Sequence, residues 1–142
     1  MVELDHQFTT SKPTDETWNA ILDLPRLVPC VQGGSVLEET SSDSVKAEIL
    51  VKMGAMSMKF TGTVAVVERD DSAHKAVMQI KSREAGGQGY ANADVTFTVN
   101  DGGGNVHTAA QITGKAASMG EGVMVSVLDA LIADFASKLA TV

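Results

Sequence analysis

Residues 119–139 read MGEGVMVSVLDALIADFASKL, and the fold of the chain follows from them. Met119, Val123, Val127, Leu131, Phe135 and Leu139 recur every fourth residue, and Met124, Leu128, Ile132 and Ala136 run beside them. At about 3.6 residues per turn these two rows form one broad apolar face. Glu121, Ser126, Asp129, Asp134, Ser137 and Lys138 fall off it. Proline is absent from the stretch, and its Ala and Leu favour a helix. The pattern predicts one long amphipathic helix that needs a large apolar surface to cover it.

That surface must come from the chain upstream. Val2–Thr9 alternates as a strand, with Val2, Leu4, His6 and Phe8 on one face. Ser11 or Thr14 is expected to cap a short helix over Thr14–Leu22, with Pro13 near its first turn. Pro25 and Pro29 then break the chain into a further helical turn or a loop ending at Gly33 and Gly34. Strands are predicted over Val36–Thr40, Val45–Met53, Met56–Arg69, His74–Arg83, Ala91–Asn100 and Val106–Thr113. The connections between them are short and rich in Asp, Ser and Gly, so the sheet should be antiparallel. One face of each strand is apolar and the other polar, so only one side of the sheet is buried. A twisted sheet of this size curls, and the long helix fits the curl. The expected class is α+β: a curled antiparallel sheet of about seven strands gripping a C-terminal helix, in one domain over residues 1–142.

The composition narrows the function. A net charge of −7 with no Lys/Arg run disfavours nucleic acid and general adhesion to anionic lipid. The single cysteine, Cys30, excludes an internal disulfide and fits a reducing cytoplasm. The first residues lack the pattern of a signal peptide, and no apolar run reaches the roughly 20 residues of a membrane span. His6, His74 and His107 lie on different segments without metal-ligand spacing. The glycines at Gly86, Gly87 and Gly89 match neither the dinucleotide fingerprint nor the P-loop. Asp70 and Asp71 read as a solvated turn, Trp18 as a packing anchor and Cys30 as a buried small residue.

The inward strand positions include Met56, Met58, Phe60, Val64, Met78, Ile80, Val95, Phe97, Ala110 and Ile112, with Thr108 and His74 expected near strand ends or margins. Methionine adapts to irregular apolar partners, so this stripe fits either a plain core or the wall of an apolar cavity.

Several residues carry a resemblance to a known family: Trp18, Leu22, Asp23, Pro25, Leu27, Cys30, Val31 and Gly33 in ETWNAILDLPRLVPCVQG, and Gly114-Lys115-Ala116 before the last helix. The chain resembles the helix-grip (START/Bet v 1-like, SRPBCC) superfamily and, within it, the CoxG family of carbon monoxide dehydrogenase subunits. It departs from the family at Gln32, where proline is usual. The resemblance implies an elongated apolar cavity between sheet and terminal helix. It also implies association with a molybdenum-containing carbon monoxide dehydrogenase, a link to the membrane quinone pool, and a place in the cytoplasm at the inner face of the cell membrane. Many members carry a C-terminal tail used for membrane association; this sequence stops at Val142, so that tail is expected to be absent from it.

The expected role is a non-enzymatic carrier of an apolar lipid, a respiratory quinone such as menaquinone. The alternative is a recruitment or assembly subunit of the dehydrogenase without an obligatory ligand; a cyclase or hydrolase would need a polar cluster inside. The expected cavity lining is Leu22, Leu27, Val28, Met56, Met58, Phe60, Met78, Ile80, Val95, Phe97, Ala110, Ile112, Met119, Val123, Met124, Val127, Leu128 and Leu131. The entrance is expected between the loop Leu24–Gly34 and the start of the long helix, with Leu27 and Val28 touching the bilayer.

Overall fold

A computed structural model describes every residue except Gly54, Gln88, Lys115 and Ala116, together with the side chains of all but these four, Met53 and Met119. The elements follow in the order β1 (Val2–Thr9), α1 (Thr14–Leu22), α2 (Leu24–Leu27), a 3-10 turn (Val28–Cys30), β2 (Gly34–Ser41), β3 (Ser44–Met53) and β4 (Met56–Asp70). β5 (Lys75–Glu84), β6 (Tyr90–Asn100), β7 (Gly103–Ile112), a second 3-10 turn (Ala117–Met119) and α3 (Glu121–Lys138) complete the chain. All strands join one antiparallel sheet in the order β1-β7-β6-β5-β4-β3-β2. This is the expected α+β architecture, with the two ends of the sheet left unpaired to each other.

The strand boundaries differ from the periodic reading by one to three residues where turns intervene. His74 is left out of β5 because it adopts a positive φ of 52° in the turn. β7 begins earlier than expected, at Gly103, which pairs with both Thr9 and Asn100. The long helix begins later than Met119: Gly120, at φ 97°, sits between the 3-10 turn and α3. Neither Ser11 nor Thr14 caps α1. Pro13 occupies the cap position, its carbonyl accepts from the Thr17 amide, and the Thr14 hydroxyl donates instead to Asp101 on the β6–β7 turn.

Curling needs a strand that approaches its neighbour closely. In β4 this is Gly62: a Cβ there would lie 1.8 Å from the Lys81 carbonyl oxygen of β5. Only glycine permits that approach. A bulge at Val67 in β4 adds to the bend.

α3 runs along β1. Its start neighbours Met1 and Val2, its middle is tied by Asp129 to His6 at 2.9 Å, and Ala140 just beyond its end accepts from Thr10. Lys12 Nζ also donates to the Val142 carbonyl. The two ends of the grip are closed differently. At the end holding the β4–β5 and β6–β7 turns, α1 lies across the sheet, and Trp18, 4% exposed, donates from Nε1 to Asp71 at 2.9 Å. The Trp18 ring also meets His74 edge-on, and His74 lies 3.1 Å from Asp15. Phe8, Ile21, Leu24, Phe97, Val99, Val106, Phe135, Ala136 and Leu139 form a continuous core here. Met58 and Phe60 belong to a second, smaller core cluster toward the opposite end.

Candidate functional site

Between the two clusters the interior is not filled. A cavity of about 230 Å³ lies between the inner face of the sheet and α3. A water occupies about 30 Å³ of liquid, so this space is far more than a packing void.

The cavity arises from mismatched side-chain sizes. The sheet presents Ala47, Gly62, Ala91, Ala93 and Ala110 to it. From β6 and β7, Ala93 and Ala110 are directly paired, and Gly62 is paired with Ala47 of β3. Small residues facing each other hold the floor back. Opposite them α3 offers Met124, Val127, Leu128, Leu131 and Ile132, all half-buried; Val127 packs on the Met58–Phe60 cluster and Ile132 on the main core. Phe97 and Phe135 close the inner end, their rings 6.0 Å apart edge-to-face.

Of the residues expected to line a cavity, Leu27, Val28, Phe60, Met78, Ile80, Val95, Phe97, Ala110, Ile112, Met124, Val127, Leu128 and Leu131 surround this one. Leu22, Met56, Met58 and Val123 do not. Leu22 packs on the α1-side core and Met58 is buried beside Phe60 in the second cluster. Met56 is half-buried at the first position of β4. Val123 is 42% exposed: the fourfold row drifts around the helix and carries it off the buried face. The Met119 side chain lies outside the described residues. Leu27 and Val28 are 4% and 8% exposed, so their side chains face inward and are not free to touch a bilayer. Helix packing at α2 and the 3-10 turn points both into the cavity wall.

The sequence reading left out β3, whose Ala47, Ile49 and Val51 line the cavity, and it left out Val31 and Ile132. The signal for the β3 residues was present in the period-two pattern of that strand, and that for Ile132 in the second apolar row of the helix. Thr108 is a correction of another kind. It sits in the middle of β7, 5% exposed, in the cavity wall and not at a strand margin.

A second hollow adjoins the first. Met1, Val2, Gln111, Ala117 and Glu121 line it, and Ala110, Ile112 and Met124 are common to both. It lies beside the start of α3, away from the loop Leu24–Gly34.

Several titratable groups form pairs at the protein surface. His107 Nδ1 donates to Asp5 Oδ1 at 2.7 Å across β1 and β7, and that hydrogen bond to the carboxylate raises the His107 pKa. The Arg69 and Trp18 hydrogen bonds hold the Asp71 carboxyl below its ordinary value, and backbone and Ser72 donors do the same for Asp70. Burial pushes the Cys30 thiol up. Among the described residues no group of three His, Cys, Asp or Glu side chains is placed to hold a metal ion.

The helix-grip fold and its apolar cavity define the class, a domain suited to a hydrophobic ligand. Within that class the chain belongs to the CoxG family of carbon monoxide dehydrogenase subunits, whose model matches residues 7–142. No curated protein matches the sequence. Among solved structures it is similar to a conserved protein of Geobacillus kaustophilus (22% identity, TM-score 0.74, covering 97% of this chain and 90% of that one). It is also similar to the Zhui aromatase/cyclase of Streptomyces sp. R1128 (13%, 0.59, 97% and 91%). A third is ginseng major latex-like protein 151 from Panax ginseng (10%, 0.55, 94% and 93%). At these identities the likeness is one of fold.

Proposed function

We propose that this chain is a non-catalytic carrier of an isoprenoid quinone, menaquinone being the expected form, which links a molybdenum carbon monoxide dehydrogenase to the membrane quinone pool. The observation that carries the reading is the cavity: α3 keeps a row of large apolar side chains half-buried opposite alanine and glycine. Leaving that surface uncovered forfeits roughly 25 cal/mol per Å², which an apolar guest recovers. Each CH₂ of a prenyl tail adds about 0.8 kcal/mol on burial, so a long tail binds without a strong polar contact. The family supports the dehydrogenase as the partner. Among the described residues no helix is long and apolar enough to cross a membrane. In this reading, loading takes place by peripheral contact at the inner face of the membrane. The second hollow beside α3 shares Ala110, Ile112 and Met124 with the cavity wall, which supports it as the route of entry.

Organic extraction of the purified protein followed by mass spectrometry tests this. A near-stoichiometric isoprenoid quinone is the expected result. Met124→Glu places a charge at the half-buried rim, where it is tolerated by the fold, and should abolish retention of the lipid. An extract without lipid, together with no uptake of added quinone, overturns the carrier and favours a recruitment protein that needs no ligand.

A further inference from the structure

The inner wall of the cavity is apolar with one exception that has no explanation in packing. Glu48, Thr63 and Asn92 border it from positions that alternate to the other side of the sheet, and the Ser82 hydroxyl donates to the Ala91 carbonyl. Thr108 is different. It faces inward between Val106 and Ala110, and among the described residues its Oγ1 has no hydrogen-bond partner. An unpaired buried hydroxyl is destabilising, and valine would fill the same shape without that cost. Such an orphan in a native interior calls for a partner.

Its depth says what kind. Val106, one inward position deeper, is paired with Phe97 at the closed end. Ala110, one position shallower, is paired with Ala93 and borders the second hollow. The two alanines keep the wall low next to Thr108, whose own partners across the strands are Val95 and Leu4. The hydroxyl itself is covered in this structure. Rotation about χ1 by about 120° carries the hydroxyl to the place its methyl group now holds, while the methyl moves to that of the Cβ hydrogen.

We infer that Thr108 is the polar anchor of the cavity, donating a hydrogen bond to a carbonyl at the leading end of a planar ligand, which therefore enters head first with its tail toward the second hollow. This deepens the carrier reading and rests on it.

The test uses two probes of one shape, 2-methyl-1,4-naphthoquinone and 1,4-dimethylnaphthalene, each titrated calorimetrically into the wild type, Thr108→Val and Thr108→Ser. Thr108→Val should weaken the quinone about tenfold, the size of one hydrogen bond, and change the hydrocarbon less than about twofold. Thr108→Ser should restore quinone binding, and the Tm of Thr108→Val should hold or rise. Should that variant unfold, Thr108→Ala serves as the second hydroxyl-free form. Equal loss for both probes, or undiminished quinone binding, overturns the anchor and leaves the carrier standing. Failure of both probes to bind the wild type overturns the anchor alone, because neither carries a prenyl tail; the carrier reading stands or falls by the extraction and quinone-uptake test.

Discussion

The two halves of α3 carry the same fourfold apolar pattern and meet opposite fates. Phe135, Ala136 and Leu139 are buried against Phe8, Ile21, Leu24 and Phe97. Met124, Val127, Leu128 and Leu131 are half-exposed around a hollow. The helix does not make the difference; its surroundings do. One end is sealed by α1 and by aromatic and branched side chains, and the other faces Gly62, Ala91, Ala93 and Ala110. An amphipathic helix states what must be covered, and the size of the residues across from it decides whether protein or guest does the covering.

Truncation at each end breaks or sharpens this contrast. Trp18→Ala should cost about 3–5 kcal/mol in denaturant unfolding, since it empties a fully packed site and removes the bond to Asp71. Leu128→Ala, in the hollow half, should cost less than about 1 kcal/mol, because its neighbours already leave it partly uncovered. Equal costs would mean that the two halves are packed alike.

Filling the hollow should act in the opposite direction. Ala93→Ile puts a branched side chain where Ala93 meets Ala110 across the strands. It should raise stability by about 0.5–2 kcal/mol while displacing any bound lipid, seen as a higher Tm with less extractable ligand. A lower Tm would show that the space beside Ala93 is already needed by its neighbours.

The smallest effect concerns acid. The Asp71 carboxyl is held below its ordinary value, chiefly by Arg69 and then by Trp18. Its contribution is therefore complete above the unfolded carboxylate value and is lost as pH falls through the lowered one. Asp71→Asn lacks that charge at every pH. The Tm gap between it and the wild type should be small at neutral pH, as suits an exposed group, and close on acidification well below 3.8. A gap that widens in acid would reverse the sign and remove Asp71 from the packed end's electrostatics.

Much of this was legible in the sequence. Period-two alternation placed six consecutive strands to within three residues at every end, and the fourfold rows of residues 119–139 named the helix and its apolar face. What failed did so for local reasons. Val123 lay in a row that a period of four extends too far around a helix of 3.6 residues per turn. Leu27 and Val28 looked like loop tips between two prolines, yet α2 and the following turn direct them inward. Asp71 read as a plain turn residue because its tie to Trp18 joins positions far apart in the chain.

By itself the sequence determined the order of elements, the one-sided burial of the sheet and the face that α3 must hide. Those are consequences of periodicity, which is a local property. Only the tertiary structure decided that Ala93 would meet Ala110, that Gly62 would draw β4 and β5 together, and that Thr108 would stand unpaired between a closed core and a hollow. A cavity depends on the distance between two surfaces, and the period of a pattern records which way each surface faces but not how far apart they come to rest.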